Sequence, residues 1–122
     1  MDDRLTDPET LSVDDYARAL LAIQPKITPR QFDMLRAHYR APNHRLSARE
    51  MAKAVSLRTG ASANLQYGIL AGHLREILSS LPESDNVYLL ATLIPPGQAA
   101  NPEWLWELRP QVAEALERLG WL

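Results

Sequence analysis

The chain has 122 residues and no cysteine, a size suited to one compact domain, and disulfides, thiolate zinc sites and cysteine nucleophiles are excluded together. The acidic start Met1-Asp2-Asp3-Arg4 leads into no secretory-type apolar stretch, and no apolar run approaches the roughly 18 residues needed to span a bilayer, so a cytoplasmic protein with no membrane partner is expected. The net charge of -2 hides a block from Lys26 to Arg58 with eight bases and two acids, a local +6 between two flanks of -4 each, the electrostatic footprint that a phosphate backbone would require.

Residues 1–10 are acid-rich and poor in apolar side chains, which predicts a flexible acidic tail ahead of a single domain over 11–122. Ser12-Val13-Asp14-Asp15 reads as a capped helix start. Tyr16, Ala19, Leu20 and Ile23 then follow at helical spacing, and Pro25 ends the run. Thr28-Pro29 opens a second helix with a proline at the position where its missing N–H costs nothing. That helix is expected to bury Phe32, Leu35 and Tyr39, with His38 on the surface beside a core tyrosine.

Leu46-Ser47-Ala48-Arg49-Glu50-Met51 combines a capping box (Ser47 with Glu50) and a hydrophobic staple (Leu46 with Met51), so a short helix starts at Ala48. Arg45 and Leu46 form a very short strand before it. Ser56-Leu57-Arg58-Thr59-Gly60 is a turn, with Gly60 available for positive φ. A longer helix then runs from near Ser62 to Leu81, burying Tyr67, Leu70 and Leu74. Within it Gly68 and Gly72 each cost roughly 1 kcal/mol of helix propensity. Close packing against the first or second helix is the favoured explanation, and a GxxxG seam joining a homodimer is the sharper one. After a turn at Asp85-Asn86, Val87 to Ile94 is rich in strand formers and Pro95-Pro96-Gly97 ends it. Trp104, Trp106 and Leu108 share one face of a second strand, with the tryptophans in the core, and Arg109-Pro110 starts a last helix capped by Gly120.

Short helix, turn, long helix and a two-stranded hairpin together predict an α+β, mostly α fold: a winged helix-turn-helix with an extra N-terminal helix and a two-stranded wing. Catalysis is not expected. His38, His44 and His73 provide no i,i+4 pair for a metal, no glycine-rich phosphate loop is present, and Asp14-Asp15 suits a helix dipole, so neither metal nor cofactor is anticipated. The chemistry suggested instead is recognition of double-stranded DNA. Arg30, Arg45, Arg49, Lys53 and Arg58 would contact phosphates, and Ser62, Asn64 and Gln66 would reach base edges. Residues 82–108 contain no Lys or Arg, so the wing supplies no phosphate clamp. That neutral wing motivates the competing reading of a protein-interaction module, an adaptor or an inhibitor of a nucleic-acid enzyme such as a phage counter-defence factor.

The segment Ile27 to Tyr39, continuing through Ala41-Pro42-Asn43 and Leu46-Ser47-Ala48, together with Ala63-Asn64-Leu65-Gln66-Tyr67-Gly68, Leu108-Arg109-Pro110 and Leu119-Gly120-Trp121, resembles the winged-helix-like region of bacterial proteins that also carry HNH nuclease domains in restriction-type systems. The likeness covers roughly two-thirds of the sequence and lacks the nuclease half. It implies a stand-alone recognition or regulatory module in which Asn64, Gln66 and Tyr67 occupy the shared motif and belong to the DNA-binding set.

Overall fold

The computed structural model describes residues 8–78 and 87–122. Five α-helices and three short strands follow in the order α1 (Val13–Ile23), α2 (Pro29–Arg40), β1 (Arg45–Leu46), α3 (Ala48–Ala54), α4 (Gly60–Leu78), β2 (Ala91–Ile94), β3 (Leu105–Leu108) and α5 (Pro110–Leu119). The chain is therefore mostly helical, with a small antiparallel sheet of order β1-β3-β2. No helix among the described residues is long and apolar enough to cross a membrane.

Three helix starts are set by side chains that satisfy otherwise unpaired backbone N–H groups. Ser12 with Asp15, Thr28 with Gln31 and Ser47 with Glu50 all form reciprocal capping boxes. The first helix buries Tyr16, Ala19, Leu20 and Ile23 as its spacing requires. Gly120, at φ 71, closes α5, and Trp121 folds back so that its ring meets Phe32 edge-on at 5.0 Å.

Several expectations are corrected. Pro8–Thr10, assigned to the tail, form a helical turn with Pro8 buried, because Gln111 Nε2 donates to the Pro8 and Leu11 carbonyls at 3.2 and 3.1 Å. The second strand begins at Ala91 rather than Val87. Residues 87–89 form a helical turn instead, closed by Leu90 N donating to Val87 O at 2.8 Å and held by Arg109 Nε donating to Tyr88 O at 2.6 Å, while the Arg109 amide donates to Leu90 O at 2.9 Å in register with the β2–β3 ladder. The predicted run of α4 to Leu81 and the turn at Asp85-Asn86 lie outside the described residues.

The α3–α4 turn also differs from its expected form. The left-handed residue is Ser56 (φ 61), and Leu57 N donates back to Ala52 O at 2.8 Å, as in a helix-closing Schellman turn. Gly60 is instead the first residue of α4, where a Cβ would lie 3.2 Å from Arg49 N and 3.4 Å from Ala48 Cβ. Its role is close approach of two helix starts. Ser56→Gly is accordingly expected to raise stability by about 0.5–1 kcal/mol, since it relieves a non-glycine residue of positive φ. Chemical denaturation checks this, and a decrease in midpoint would refute it.

Candidate nucleic-acid interface

The centre of the molecule is a polar cluster rather than a purely apolar one. Helix α2 buries Gln31, Met34, Leu35 and His38, while Tyr39 is half-buried and its hydroxyl donates to Glu117. The buried stripe is thus rotated from the one the aromatic residues suggested. His38 has no solvent exposure; it lies 2.8 Å from Tyr67 Oη through Nδ1 and 2.9 Å from Trp106 O through Nε2. A carbonyl can only accept, so Nε2 carries the proton and Nδ1 accepts from the tyrosine. Desolvation lowers the His38 pKa from 6.5 to about 4, and the same cause pushes the Tyr67 hydroxyl upward. Tyr67 stacks on Trp106 at 5.1 Å. One neutral imidazole therefore ties α2, α4 and β3 together.

This arrangement removes Tyr67 from the DNA-contact set: fully buried, with its hydroxyl spent on His38, it cannot reach a base. Gln66 is half-buried and accepts from Gln31 Nε2 at 3.2 Å, an interhelical bond that holds it against α2. Ser62 is occupied at the start of α4, its amide donating to Thr59 Oγ1 at 3.1 Å and its hydroxyl 3.2 Å from the same oxygen. Asn64 is exposed.

The basic block divides in two. Arg45 is half-buried and pairs with Glu107 of β3 at 3.6 Å, while Arg49 pairs with Glu103 at 2.6 Å. That second pair keeps the Glu103 carboxyl below its ordinary range and raises the Arg49 guanidinium, the shared hydrogen bond being the main cause of both. Lys26 faces Glu76 at 3.5 Å, and Arg36 lies 3.6 Å from Asp33 and over the Phe32 ring. A cation with a carboxylate beside it projects little net field.

Arg30, Arg40, Lys53 and Arg58 are exposed and in no ion pair among the described residues. Two of them border the α3–α4 turn directly. Arg30 Nη1 donates to Ser56 O at 3.3 Å, and Arg40 lines a cleft of about 550 Å³ together with Arg36, Ala54 and Ser56. Lys53 and Arg58 flank that same turn in sequence. Arg40 was absent from the sequence-derived contact set; its i,i+4 spacing from Arg36 was the available signal.

Two apolar features were also missed. Trp104, expected in the core, precedes β3 and is 55% exposed. On α4 the outward face carries Leu65 at 60% and Ile69 at 42% exposure. The hairpin loop between β2 and β3 is closed by Asn101, whose side chain accepts from Ala99 N at 2.9 Å and donates to Pro95 O at 3.3 Å and to Glu103 O. No group of three or more His, Asp or Glu side chains among the described residues could hold a metal ion. Comparison of the chain with protein-family models, curated proteins and solved structures returned no match.

Proposed function

We propose that this protein is a winged-helix module that binds duplex DNA through its phosphate backbone, without catalysis of its own. Element order supports the winged-helix reading: helix α2, strand β1, the α3–α4 pair and a β2–β3 hairpin, with β1 hydrogen-bonded to β3. The observation that carries the DNA reading is the gathering of Arg30, Arg40, Lys53 and Arg58 around the α3–α4 turn, outside any ion pair among the described residues, in a chain whose total charge is negative. Phosphates are the partner such a patch suits. Asn64 is the exposed α4 residue able to pair with a base edge, so sequence discrimination is expected to be modest. A bacterial recognition or regulatory role, as in restriction-type systems, follows the residue resemblance.

Lys53→Glu combined with Arg58→Glu should weaken binding to random duplex DNA by at least about tenfold at low salt and lower the slope of log K against log salt by about 2. Arg45→Gln and Arg49→Gln should each change affinity less than about threefold, because their charges are already compensated by Glu107 and Glu103. Titrations at several salt concentrations decide the matter. Equal losses in both sets, or a wild-type affinity flat with salt, would defeat the proposal. The apolar outward face of α4 favours a second role in binding protein, as an adaptor or inhibitor would.

A further inference from the structure

Trp104 keeps 55% of its surface in water, although Trp106, two residues on, is buried in the core. Among the described residues no other ring packs on it and no cation lies over it. The backbone beneath it is tied down. Asn101 bonds to Pro95, Ala99 and Glu103, and Ala100 stands at φ 57, a left-handed conformation that a non-glycine residue takes at a cost. A broad apolar ring is thus held outward on a loop whose course is set.

The same loop reaches the basic face of the molecule. Glu103, next to Trp104 in the chain, accepts from Arg49 Nε and Nη2 at 3.1 and 2.6 Å. Lys53 lies one turn, about 6 Å, further along α3 from Arg49, and both are exposed, so they share a face of the helix. Arg58 follows in the α3–α4 turn. The residue beside Trp104 is therefore bonded to the first of a row of cations, and the Glu103 charge that would repel a phosphate is offset by Arg49.

The β2–β3 hairpin carries no Lys or Arg, so it cannot grip a phosphate itself. What it presents is a π-face. An aromatic ring next to cations that track a nucleic-acid backbone binds by stacking on a base, whatever the sequence, because every base has a π-face too. In a paired duplex each base is covered by the next pair. A stacking tryptophan finds its partner where pairing ends.

We propose that Trp104 stacks on an unpaired base, and that the preferred partner is DNA in which a paired segment adjoins single-stranded nucleotides. Lys53 and Arg58 hold phosphates of the paired segment, and the indole covers the first base beyond it. This rests on the DNA reading above and narrows it from duplex backbone to a junction. The test titrates the protein with a blunt duplex and with the same duplex carrying a short single-stranded thymidine overhang. Wild type should bind the overhang DNA about tenfold more tightly, within the range that stacking one base supplies. Trp104→Ala should erase that preference while changing blunt-duplex affinity less than about twofold, with helix content and denaturation midpoint retained because the ring is mostly exposed. Trp104→Phe, still able to stack, should keep most of the preference. Tryptophan fluorescence should be quenched by overhang DNA in wild type but not in Trp104→Phe, where the buried Trp106 and half-buried Trp121 remain. Lys53→Glu with Arg58→Glu should weaken both DNAs alike, which separates phosphate contacts from the stack. Equal wild-type affinity for the two DNAs, a preference that survives Trp104→Ala, or a Trp104→Ala loss equal on both would overturn the junction proposal and leave the phosphate reading standing. A wild type that binds neither DNA would overturn both.

Discussion

Replacing Trp106 by alanine is expected to cost about 3–5 kcal/mol of unfolding free energy. The side chain is 5% exposed, stacks on Tyr67 at 5.1 Å and lies 6.4 Å from the His38 ring, so truncation opens a cavity between elements that are far apart in sequence. Domains of this size hold about 5–15 kcal/mol in total, and the variant should be partly unfolded at body temperature. Urea denaturation at neutral pH measures the loss. Trp104→Ala is the control, expected within about 0.5 kcal/mol because that ring is 55% exposed. A Trp106→Ala loss below about 1.5 kcal/mol would mean the stacked cluster is not the centre of the core.

Acidification should destabilise the protein through His38. In the folded chain its pKa falls from 6.5 to about 4, so between those values the unfolded chain takes up a proton that the folded chain refuses. Stability is therefore complete above pH 6.5, declines as pH falls toward 4, and loses nothing more through this group below that. The full swing is about 3 kcal/mol, from 1.36 kcal/mol per pKa unit. Protonation would also give Nδ1 a hydrogen pointing at Tyr67 Oη, turning an accepting nitrogen into a second donor. Urea melts at pH 7 and pH 4.5 should show most of the loss in wild type and little in His38→Gln. The acids with depressed pKa values, Asp15 and Glu103, begin their own loss at the lower edge of this window, near the ordinary carboxylate range, and that loss is common to both proteins, so the comparison isolates His38. Identical pH slopes in the two proteins would refute the role assigned to His38.

What the sequence made legible was local. Ser12, Thr28 and Ser47 start their helices where their positions suggested, because an N-cap bond spans three residues. Gly120 likewise ends α5 in a left-handed conformation. The face of α2 was misread because aromatic character was taken as the mark of the core. Gln31 and His38 occupy it instead, and their partners lie 35, 29 and 68 residues away. No window of sequence contains those bonds.

The candidate site was legible to the same degree. The positive block was visible as composition, but Arg49 is neutralised by a carboxylate 54 residues downstream, and only the fold brings Glu103 to it. Trp104 was assigned inward by strand alternation; β3 starts one residue later, so the alternation does not extend to it. Leu65 and Ile69 stand among polar residues of α4, and their exposure depends on which faces of the helix the rest of the chain covers.

The Asn101 bracket bears on how the β2–β3 loop can be used. A run rich in proline, glycine and alanine would ordinarily be a floppy arm that any visitor must first immobilise. Here one carboxamide, together with Gly97 N donating to Asn101 O at 2.7 Å, has already fixed the path of the loop. Trp104 at its base is consequently offered as a preformed knob, and whatever docks there meets a shape settled before the encounter.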